Sequence, residues 1–336
     1  MELRKCIEIL STIGLQIRQK VFENLNSLPE EYKSTVFKER EEDSIYQIDR
    51  DVEDLVVSEL GKRAQRVGGV VLIAEGIDVN GELPVFPANQ KPDEARFRFI
   101  IDPIDGTRGL MYNKRPAFFL GAVAINKGEQ TRLSDIQAAA MIELPIAKNA
   151  FADSFTAIKG EGVEGARTNL FKLKDEPLKC RPSKASSIYG GFAQLSRFFS
   201  PGRDIIAKIE EEMIGELFPN VPGGKAFVFE DQYISSGGQF YELLVGHDRF
   251  TADIRASLNR SFRKEGKKTG LTCHPYDLCA KLALDEAGVV VTGIDGNPLD
   301  CPLDTTTEVD WLAYANKEIQ REVEPVLHRI LRRFGL

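Results

Sequence analysis

The sequence predicts an α+β protein, in which helices cover a largely antiparallel sheet. The first support is an amphipathic pattern at the amino terminus, with apolar residues at helical spacing from Leu3 to Leu25. The second is a series of β-rich runs with short connections between Gly69 and Ile158, because strands that follow one another closely usually pair antiparallel. Helical periodicity returns in the carboxyl-terminal half and ends in an amphipathic helix over 316–334.

Length and charge limit the class of protein. The chain has 336 residues, enough for a large core and about two domains. We place the boundary where the sequence becomes rich in Lys, Asp, Pro and Arg, which gives an α+β domain over 1–178 and an α/β domain over 179–336. With 44 basic and 51 acidic residues the net charge is -7, so we expect no binding to a nucleic acid polymer through its phosphates.

The sequence also predicts a cytoplasmic protein. Its cysteines are scattered and lack zinc-ligand spacing, which favours reduced thiols: Cys6, Cys180, Cys273, Cys279 and Cys301. The amino terminus mixes charged residues into its amphipathic pattern and has no apolar core of the kind that a signal peptide needs. The longest apolar runs, 118–125 and 289–291, are too short to span a membrane, so we expect no membrane partner.

The amino-terminal elements are predicted as a helix, a loop, a strand and a second helix. Pro29 ends the first helix, and the polar stretch 30–43 is predicted as a solvated loop. Residues 45–48 alternate like a half-buried strand, and the second helix covers 52–60. Asp49 precedes that helix, where a helix cap is the ordinary role for an acid.

A continuous apolar run over 69–74 predicts a buried strand that ends in an acid, Glu75, followed by Gly76. A glutamate at the end of a strand is by itself usually solvated. The segment 77–95 is rich in Pro, Gly, Asn and Asp, which indicates a hairpin or loop leading to the next strand.

The next strand leads into the most informative stretch of the chain, Asp102-Pro103-Ile104-Asp105-Gly106-Thr107. The apolar run Phe99–Ile101 stops at an acid followed by a proline, which cannot donate to a sheet, so the strand is predicted to end at Asp102. Carboxylates held close together repel unless a cation lies between them, and Mg²⁺ prefers such oxygen ligands. The N–H groups of Gly106 and Thr107 would suit an anion. The stretch thus indicates a metal site beside a phosphate site, although Asp-Pro and Asp-Gly are also common in ordinary turns.

Further strands follow over 116–125, 136–144 and 149–158. Residues 160–165 spell G-x-G-x-x-G, a pattern found in dinucleotide-binding loops. We interpret it as a glycine turn, because residues 166–173 lack the pattern of the helix that such a loop requires.

The carboxyl-terminal half contains one more candidate acid. Helices are predicted near 204–217 and 238–246, and a third helix ends at Gly288 before the strand 289–292. Asp277 lies at the start of this third helix, where it serves either as a cap or as a functional acid.

Asp102 to Thr107, after a hydrophobic strand, closely resembles the signature of the inositol monophosphatase family. These Mg²⁺-dependent phosphatases include bisphosphate nucleotidases and are similar in fold to fructose-1,6-bisphosphatases. The resemblance therefore implies a layered α/β/α/β/α sandwich. Residues 49–53 are similar to the family's Asp-x-x-x-Glu helix start, and the polar stretch 30–43 lies where the family has a mobile loop that helps to close the site.

Two other matches are imperfect. The strand end Ala74-Glu75-Gly76 resembles the family's Gly-Glu-Glu, but a glycine replaces the second glutamate, which leaves Glu75 as the one candidate ligand there. Tyr276-Asp277 resembles the family's Trp-Asp, with a tyrosine in place of the tryptophan and Lys281 where the family has a small residue. The acid itself is retained at the start of the helix.

The resemblance implies specific roles. Two to three Mg²⁺ ions would be held by carboxylates and one backbone carbonyl: Glu75, Asp102, Ile104, Asp105 and Asp277. The substrate phosphate would be bound by Asp105, Gly106 and Thr107. Catalysis would involve Asp49, Glu75 and Thr107, with the Thr107 hydroxyl, bonded to Asp49, orienting a metal-activated water.

The implied function is hydrolysis of a small phosphorylated polyol resembling inositol monophosphate. A 3'(2'),5'-bisphosphate nucleotidase or a fructose-1,6-bisphosphatase is the alternative, and a non-enzymatic scaffold is supported only by the loss of the second glutamate. The basic run 255–268 is predicted as a solvated loop, or, on a second hypothesis, as a reader of a second phosphate through Arg263 and Lys264. Since family members commonly dimerise, a homodimer is the partner that the resemblance implies besides the substrate.

Overall fold

The computed structural model describes residues 2–27, 36–39, 44–77 and 82–336. Side chains are described for these residues except 27, 36–39, 44–47 and 49. The predictions for Pro29 and for most of the loop over 30–43 lie outside these ranges.

The α-helices of the described part follow one another along the chain as α1 (Glu2–Ser27), α2 (Gln47–Arg63), α3 (Thr107–Met111), α4 (Arg203–Leu217), α5 (Ser236–Val245), α6 (Arg255–Lys264), α7 (Lys281–Ala287) and α8 (Lys317–Arg333). The strands are β1 (Val36–Glu39), β2 (Ser44–Tyr46), β3 (Val70–Ala74), β4 (Val85–Phe86), β5 (Phe97–Asp105), β6 (Ala117–Ile125), β7 (Ile136–Leu144), β8 (Phe151–Ile158), β9 (Gly162–Asn169), β10 (Lys174–Leu178), β11 (Gly191–Leu195), β12 (Val228–Phe229), β13 (Asp248–Asp253), β14 (Val290–Thr292) and β15 (Trp311–Tyr314).

The elements stack in alternating layers of helix and sheet, which confirms the predicted α/β/α/β/α sandwich. A sheet ordered β10-β9-β8-β7-β6-β5-β3-β4 packs α1 and α2 on one face and α5 and α7 on the other. A second sheet, ordered β12-β11-β13-β15-β14, lies beyond α5 and α7 and is covered by α4 and α8. Three apolar clusters fill the spaces between these layers.

The first sheet departs from the antiparallel prediction at one pair of strands. β3 and β5 run parallel, with Ala74 opposite Ile101, whereas the other neighbours are antiparallel. The segment between them, which carries the short edge strand β4, supplies the crossover that parallel strands require. As a result the carboxyl ends of β3 and β5 meet at one edge of the sheet, and Glu75 comes next to Asp102 in space.

The predicted end of the central strand at Asp102 is wrong, because β5 continues to Asp105. Asp102 pairs with Leu120 of β6 and Asp105 pairs with Phe118, so β5 has one residue more than its partner in this interval. Such a β-bulge leaves its extra residue outside the ladder and bends the strand. Pro103 lies inside the bulge, where a missing N–H costs no ladder hydrogen bond.

Close packing against α1 holds this sheet in place. Ile13 and Ile17 of α1 are fully buried, and each such side chain contributes roughly 1.5–3 kcal/mol. Gly14 lets the helix approach the sheet: a Cβ there would lie 2.5 Å from Cδ1 of Ile142 and 2.6 Å from Cδ1 of Phe119. The glycine therefore faces β6, which is the neighbour of β5, and β7, which lies beyond β6.

Other predicted elements also differ at their boundaries. Strand β1 lies within the predicted loop 30–43 and pairs with β2. Strand β2 ends at Tyr46 and α2 already begins at Gln47. Asp49, which was predicted to precede this helix, therefore lies in its first turn. The basic run begins with the helix α6 rather than forming a loop. Asp277 lies in a short 3₁₀ turn, Pro275–Leu278, which precedes α7.

Residues 160–165 form the turn and first residues of the β8–β9 hairpin, as expected for a glycine turn. The division into domains 1–178 and 179–336 stays a prediction, although β10 of the first sheet ends at Leu178. Among the helices of the described ranges, none combines the length and apolar character that crossing a membrane requires.

Candidate active site

The acids predicted from distant parts of the sequence line one cavity of about 340 Å³. Asp102 and Asp105 enter it from the bulged end of β5, and Glu75 enters from the end of β3. Asp277 comes from the 3₁₀ turn before α7, and Thr107 begins α3 on the cavity wall. The chain thus brings together four of the predicted acids and the predicted threonine.

Three of these acids form a compact group. Asp102, Asp105 and Asp277 each offer a carboxylate oxygen, and these oxygens lie within 4.8 Å of one another. Hard divalent cations bind such sets of carboxylate oxygens. Among the residues that the structure describes, no other set of three or more acids, histidines or cysteines lies close enough together to share a metal ion.

The electrostatics of the group also fit a cation. Burial raises the pKa of Asp102 well above its usual value, and the charges of Glu75, Asp105 and Asp277 raise it further. Burial likewise raises the pKa of Asp277, with the charges of Asp105 and Glu75 adding to the effect. A divalent cation among these carboxylates would remove their mutual repulsion, so the donor set suits a resident metal.

Asp105 is held from the other side of the cavity by the start of α5. Its Oδ2 accepts hydrogen bonds from the Ser235 hydroxyl, at 2.9 Å, and from the Gly237 N–H. Burial raises the pKa of Asp105 to about 6, while bonds from Gly237, Ser235 and Ser236 oppose the rise. Ser235 also caps α5 by accepting from the Gly238 N–H. The sequence analysis missed this clamp, although a serine before a helix is a recognisable cap signal.

Backbone donors orient the other two aspartates. The Ile104 N–H donates to Oδ1 of Asp102 at 3.0 Å, within the β-bulge. The His274 N–H donates to Oδ2 of Asp277 at 2.6 Å, so Asp277 caps its 3₁₀ turn. Asp277 therefore caps its turn and also belongs to the acidic group, while its role as a functional acid stays a prediction.

Glu75 lies in the cavity but outside the compact group of three. Its N–H donates to the Ile101 carbonyl at 3.4 Å, which ties it to the end of β5. Its charge raises the pKa of Asp102, Asp277 and the buried Tyr276. Glu75 is thus close enough to act on the group electrostatically.

Thr107 is fixed by a hydrogen bond from its hydroxyl to the Ile104 carbonyl, at 2.9 Å. The same carbonyl is a predicted metal ligand, and its second lone pair remains for that role. Gly106 has a φ of 98°, in the left-handed region, which lets the chain turn from β5 into α3. The Asp49 side chain lies outside the described part, so its bond to Thr107 stays a prediction.

The far wall of the cavity contains aromatic rings and arginines. The Arg255 guanidinium lies 4.4 Å from the ring centre of Phe198 and 5.3 Å from that of Phe199, and it is ion-paired with Asp253. The Arg108 guanidinium lies 5.2 Å from the ring centre of Phe199. None of these residues except Arg255 belonged to the predicted features of the sequence.

Most of the basic run is directed elsewhere. Arg260 pairs with Asp310 at 2.6 Å, and Arg263 pairs with Glu308. Arg255 is the residue of this run that lines the cavity in the described structure. Neither Arg263 nor Lys264, which the second-phosphate hypothesis names, lines this cavity, so the structure gives that hypothesis no support.

Comparison with known proteins gives this geometry a context. Residues 2–213 match the model of the Inositol monophosphatase family. The chain belongs to the inositol monophosphatase family. Membership identifies it as a phosphatase of this superfamily, whose members depend on metal ions. The matched region includes the acids at 75, 102 and 105 but not Asp277, which joins them through the fold.

Solved structures show the inositol monophosphatase fold over nearly the whole chain. The extragenic suppressor protein suhB from Bartonella henselae is 18% identical, with a TM-score of 0.61, and the match covers 96% of this chain and 98% of that one. Inositol monophosphatase from Anabaena (Nostoc) sp. PCC 7120 is 14% identical, with a TM-score of 0.58 and coverage of 98% and 96%.

A third structure, the MJ0109 gene product, is named as an inositol monophosphatase–fructose 1,6-bisphosphatase. It is 16% identical, with a TM-score of 0.59, and the match covers 95% of this chain and 98% of that one. At these identities the similarity establishes the fold alone. The search of curated proteins found no significant match.

Proposed function

We propose that the protein is a Mg²⁺-dependent phosphomonoesterase that hydrolyses a small phosphorylated polyol such as an inositol monophosphate. The observation that carries the proposal is the convergence of Asp102, Asp105 and Asp277 within 4.8 Å beside the turn that leads into Thr107. Two to three ions would be held by this group together with Glu75 and the Ile104 carbonyl. Bound Mg²⁺ would neutralise phosphate charge and make the attacking water more acidic.

The chain's own residues position the reactants. The N–H groups of Gly106 and Thr107 would donate to the phosphate oxygens at the start of α3. The Thr107 hydroxyl donates to the Ile104 carbonyl in this structure, and it would have to turn its hydrogen to the Asp49 carboxylate to act in catalysis. It would then accept a proton from the attacking water as it gives its own to Asp49. Attack would form a bond from the water oxygen to phosphorus and break the ester P–O bond, and the departing alkoxide would take a proton from solvent water. The hydrogen bonds from Ser235 and Gly237 would hold the Asp105 carboxylate in position to bind both the metal and the phosphate.

Phosphate release in the presence of Mg²⁺ tests the proposal. Inositol phosphates, sugar bisphosphates and adenosine bisphosphates serve as substrates, and we expect an inositol monophosphate to be the best of them. Asp105→Asn should lower kcat by roughly 100-fold or more, since the metal loses a charged ligand. Far-UV circular dichroism should remain that of the wild type, because asparagine can still accept the bonds from Ser235 and Gly237.

Asp93→Asn, at an exposed site outside the cavity, is the matched control and should retain full activity. A folded Asp105→Asn variant with wild-type activity would refute the metal assignment. Absence of phosphate release from every substrate, by wild-type protein with Mg²⁺, would leave the scaffold hypothesis as the explanation.

One observation favours the bisphosphate alternative. Arg108 directly follows Thr107, is half-buried and lines the cavity, with its guanidinium against the ring of Phe199. A cation so close to the proposed phosphate site would attract a second phosphate of the same substrate. A 3'(2'),5'-bisphosphate nucleotide or fructose 1,6-bisphosphate carries such a group, and a protein of this fold is named for both monophosphate and bisphosphate hydrolysis.

Arg108→Gln separates the two substrate classes. If the guanidinium binds a second phosphate, KM for a bisphosphate should rise by about 10-fold or more while KM for a monophosphate stays unchanged. Arg263→Gln is the control, because that arginine is paired with Glu308 outside the cavity. An equal rise for both substrates would show that Arg108 acts on the hydrolysed phosphate or on the structure around it.

A further inference from the structure

The residue after Glu75 is a glycine with an unusual backbone conformation. Gly76 has a φ of 75°, in the left-handed region where side chains are disfavoured. It lies in the turn that follows β3 and lines the cavity together with Glu75. The edge of the cavity next to Glu75 therefore has no side chain from position 76.

A carboxylate from α2 fills the space that such a side chain would take. A Cβ placed on Gly76 would collide with Oε1 of Glu53 and would lie 3.2 Å from its Cδ. Glu53 is half-buried and lines the same cavity as Glu75 and Asp102. A side chain at 76 and the present position of Glu53 therefore exclude each other.

The neighbouring residues on α2 show that Glu53 lies between the buried and the exposed face of the helix. The preceding residue, Val52, is fully buried in the core between α1, α2 and the first sheet. The following residue, Asp54, is exposed. Glu53 lies between these two environments and reaches the cavity, whereas Glu59, farther along the same helix, is bonded to Lys62 and Arg63 and lies outside the cavity.

We propose that Glu53 adds a fifth carboxylate to the metal-binding set of Glu75, Asp102, Asp105 and Asp277. The inference rests on the proposed function. The number of carboxylates and the rigidity of a site set its affinity for hard divalent ions. Glu53 should therefore strengthen metal binding on the Glu75 side of the cavity, and it would link α2 to a bound ion.

Metal titration of purified full-length protein tests this inference. Mn²⁺ binding is followed by electron paramagnetic resonance, and Mg²⁺ binding by calorimetry, after removal of metal with EDTA. Glu53→Gln should weaken binding by about 10-fold, in line with the loss of one charged group from a metal site. Asp54→Asn removes an adjacent, exposed acid of the same helix and should bind as tightly as the wild type.

A second substitution tests the mutual exclusion of the two side chains. Gly76→Ala places a Cβ where the Glu53 carboxylate now lies, so it should displace that carboxylate and weaken binding much as Glu53→Gln does. The double variant should then be no weaker than either single variant, because both changes remove the same interaction. A purely structural role for Glu53 predicts instead a lower melting temperature of the metal-free protein with no change in metal affinity.

The outcomes separate this inference from the proposed function. Wild-type and Glu53→Gln proteins that bind Mn²⁺ equally well would overturn the role of Glu53 and leave the phosphatase proposal standing. Wild-type protein that binds neither metal would defeat both. Weaker binding in Glu53→Gln, with an unchanged metal-free melting temperature and a normal Asp54→Asn control, is the expected result.

Discussion

At the scale of single residues, burial acts on carboxyl groups throughout the molecule. Burial raises the pKa of Glu143, Glu210 and Asp248 to about 7, although none of these three lines the candidate active site. A raised pKa alone therefore does not mark a functional acid here. The distinguishing feature of Asp102 and Asp277 is that they are buried beside other acids, whose charges raise their pKa further.

Asp248 allows a test of this effect away from the cavity. Burial raises its pKa from 3.8 to about 7, the charge of Glu242 adds to the rise, and a bond from the Thr251 hydroxyl opposes it. Because the folded chain holds this proton where the unfolded chain has lost it, the free energy of unfolding should fall as the pH rises from about 4 to about 7. Between pH 5 and pH 8 the loss should be roughly 2–3 kcal/mol.

Asp248→Asn removes this contribution, because asparagine resembles the protonated acid. Urea unfolding in EDTA at pH 5 and pH 8 measures the effect, and the difference between variant and wild type isolates Asp248 from other titrating groups. The variant should gain stability over the wild type at pH 8 relative to pH 5. A difference that is the same at both pH values would show that Asp248 does not change its charge in this range.

At the scale of elements, the bulge in β5 determines where the acids lie. One extra residue between Asp102 and Asp105 changes the direction of the strand, so that both carboxylates reach the cavity. A strand without the bulge would place residues three positions apart on opposite faces. The proline suggested an end to the strand because its missing N–H was visible in the sequence, whereas the register against β6 was not.

Local pattern predicted the elements whose structure depends on their own sequence. β7 was predicted with its observed bounds, and the terminal helix α8 was predicted within one residue at each end, because alternation, periodicity and capping residues are local signals. The parallel pairing of β3 with β5 was not predicted, since it depends on how the segment between them crosses. The clamp from Ser235 to Asp105 was also missed, because 130 positions separate the two residues.

The residues of the candidate site likewise divide into those that the local sequence indicates and those that only the fold or the family resemblance indicates. Asp102 and Asp105 stood out in the sequence as a close acidic pair after a strand. Glu75 and Asp277 were ordinary strand-end or capping acids until the family resemblance singled them out. Glu53 stood out in the sequence as the glutamate of the Asp-x-x-x-Glu match, whereas its closeness to Gly76 is a property of the folded chain alone.

At the scale of the whole molecule, the acidic group joins separate parts of the chain. Asp102 and Asp105 belong to the first sheet, whereas Asp277 lies in the 3₁₀ turn packed beneath that sheet with α5 and α7. Without a cation these buried acids repel one another, so the group opposes the packing of these elements. A bound divalent ion would reverse this effect and should stabilise the folded molecule as a whole.

Thermal unfolding tests this linkage. Mg²⁺ at 100 times its dissociation constant should add about 2.7 kcal/mol to the stability, which corresponds to a rise in Tm of about 4 °C for a chain of this length. Asp277→Asn should lose most of that rise. In EDTA the same variant should melt at or above the wild-type temperature, because asparagine keeps the bond from the His274 N–H and removes one repelling charge.

The opposite signs of these two effects distinguish a metal ligand from a structural cap. If Asp277 served only to cap its 3₁₀ turn, the variant, whose amide oxygen still accepts the bond from the His274 N–H, would melt at the wild-type temperature in EDTA and would still gain the full rise with Mg²⁺. Asp93→Asn, remote from the cavity, should match the wild type under both conditions. Scanning calorimetry of the three proteins, with Mg²⁺ and with EDTA, therefore decides whether the elements around Asp277 are held to the first sheet by a shared ion or by packing alone.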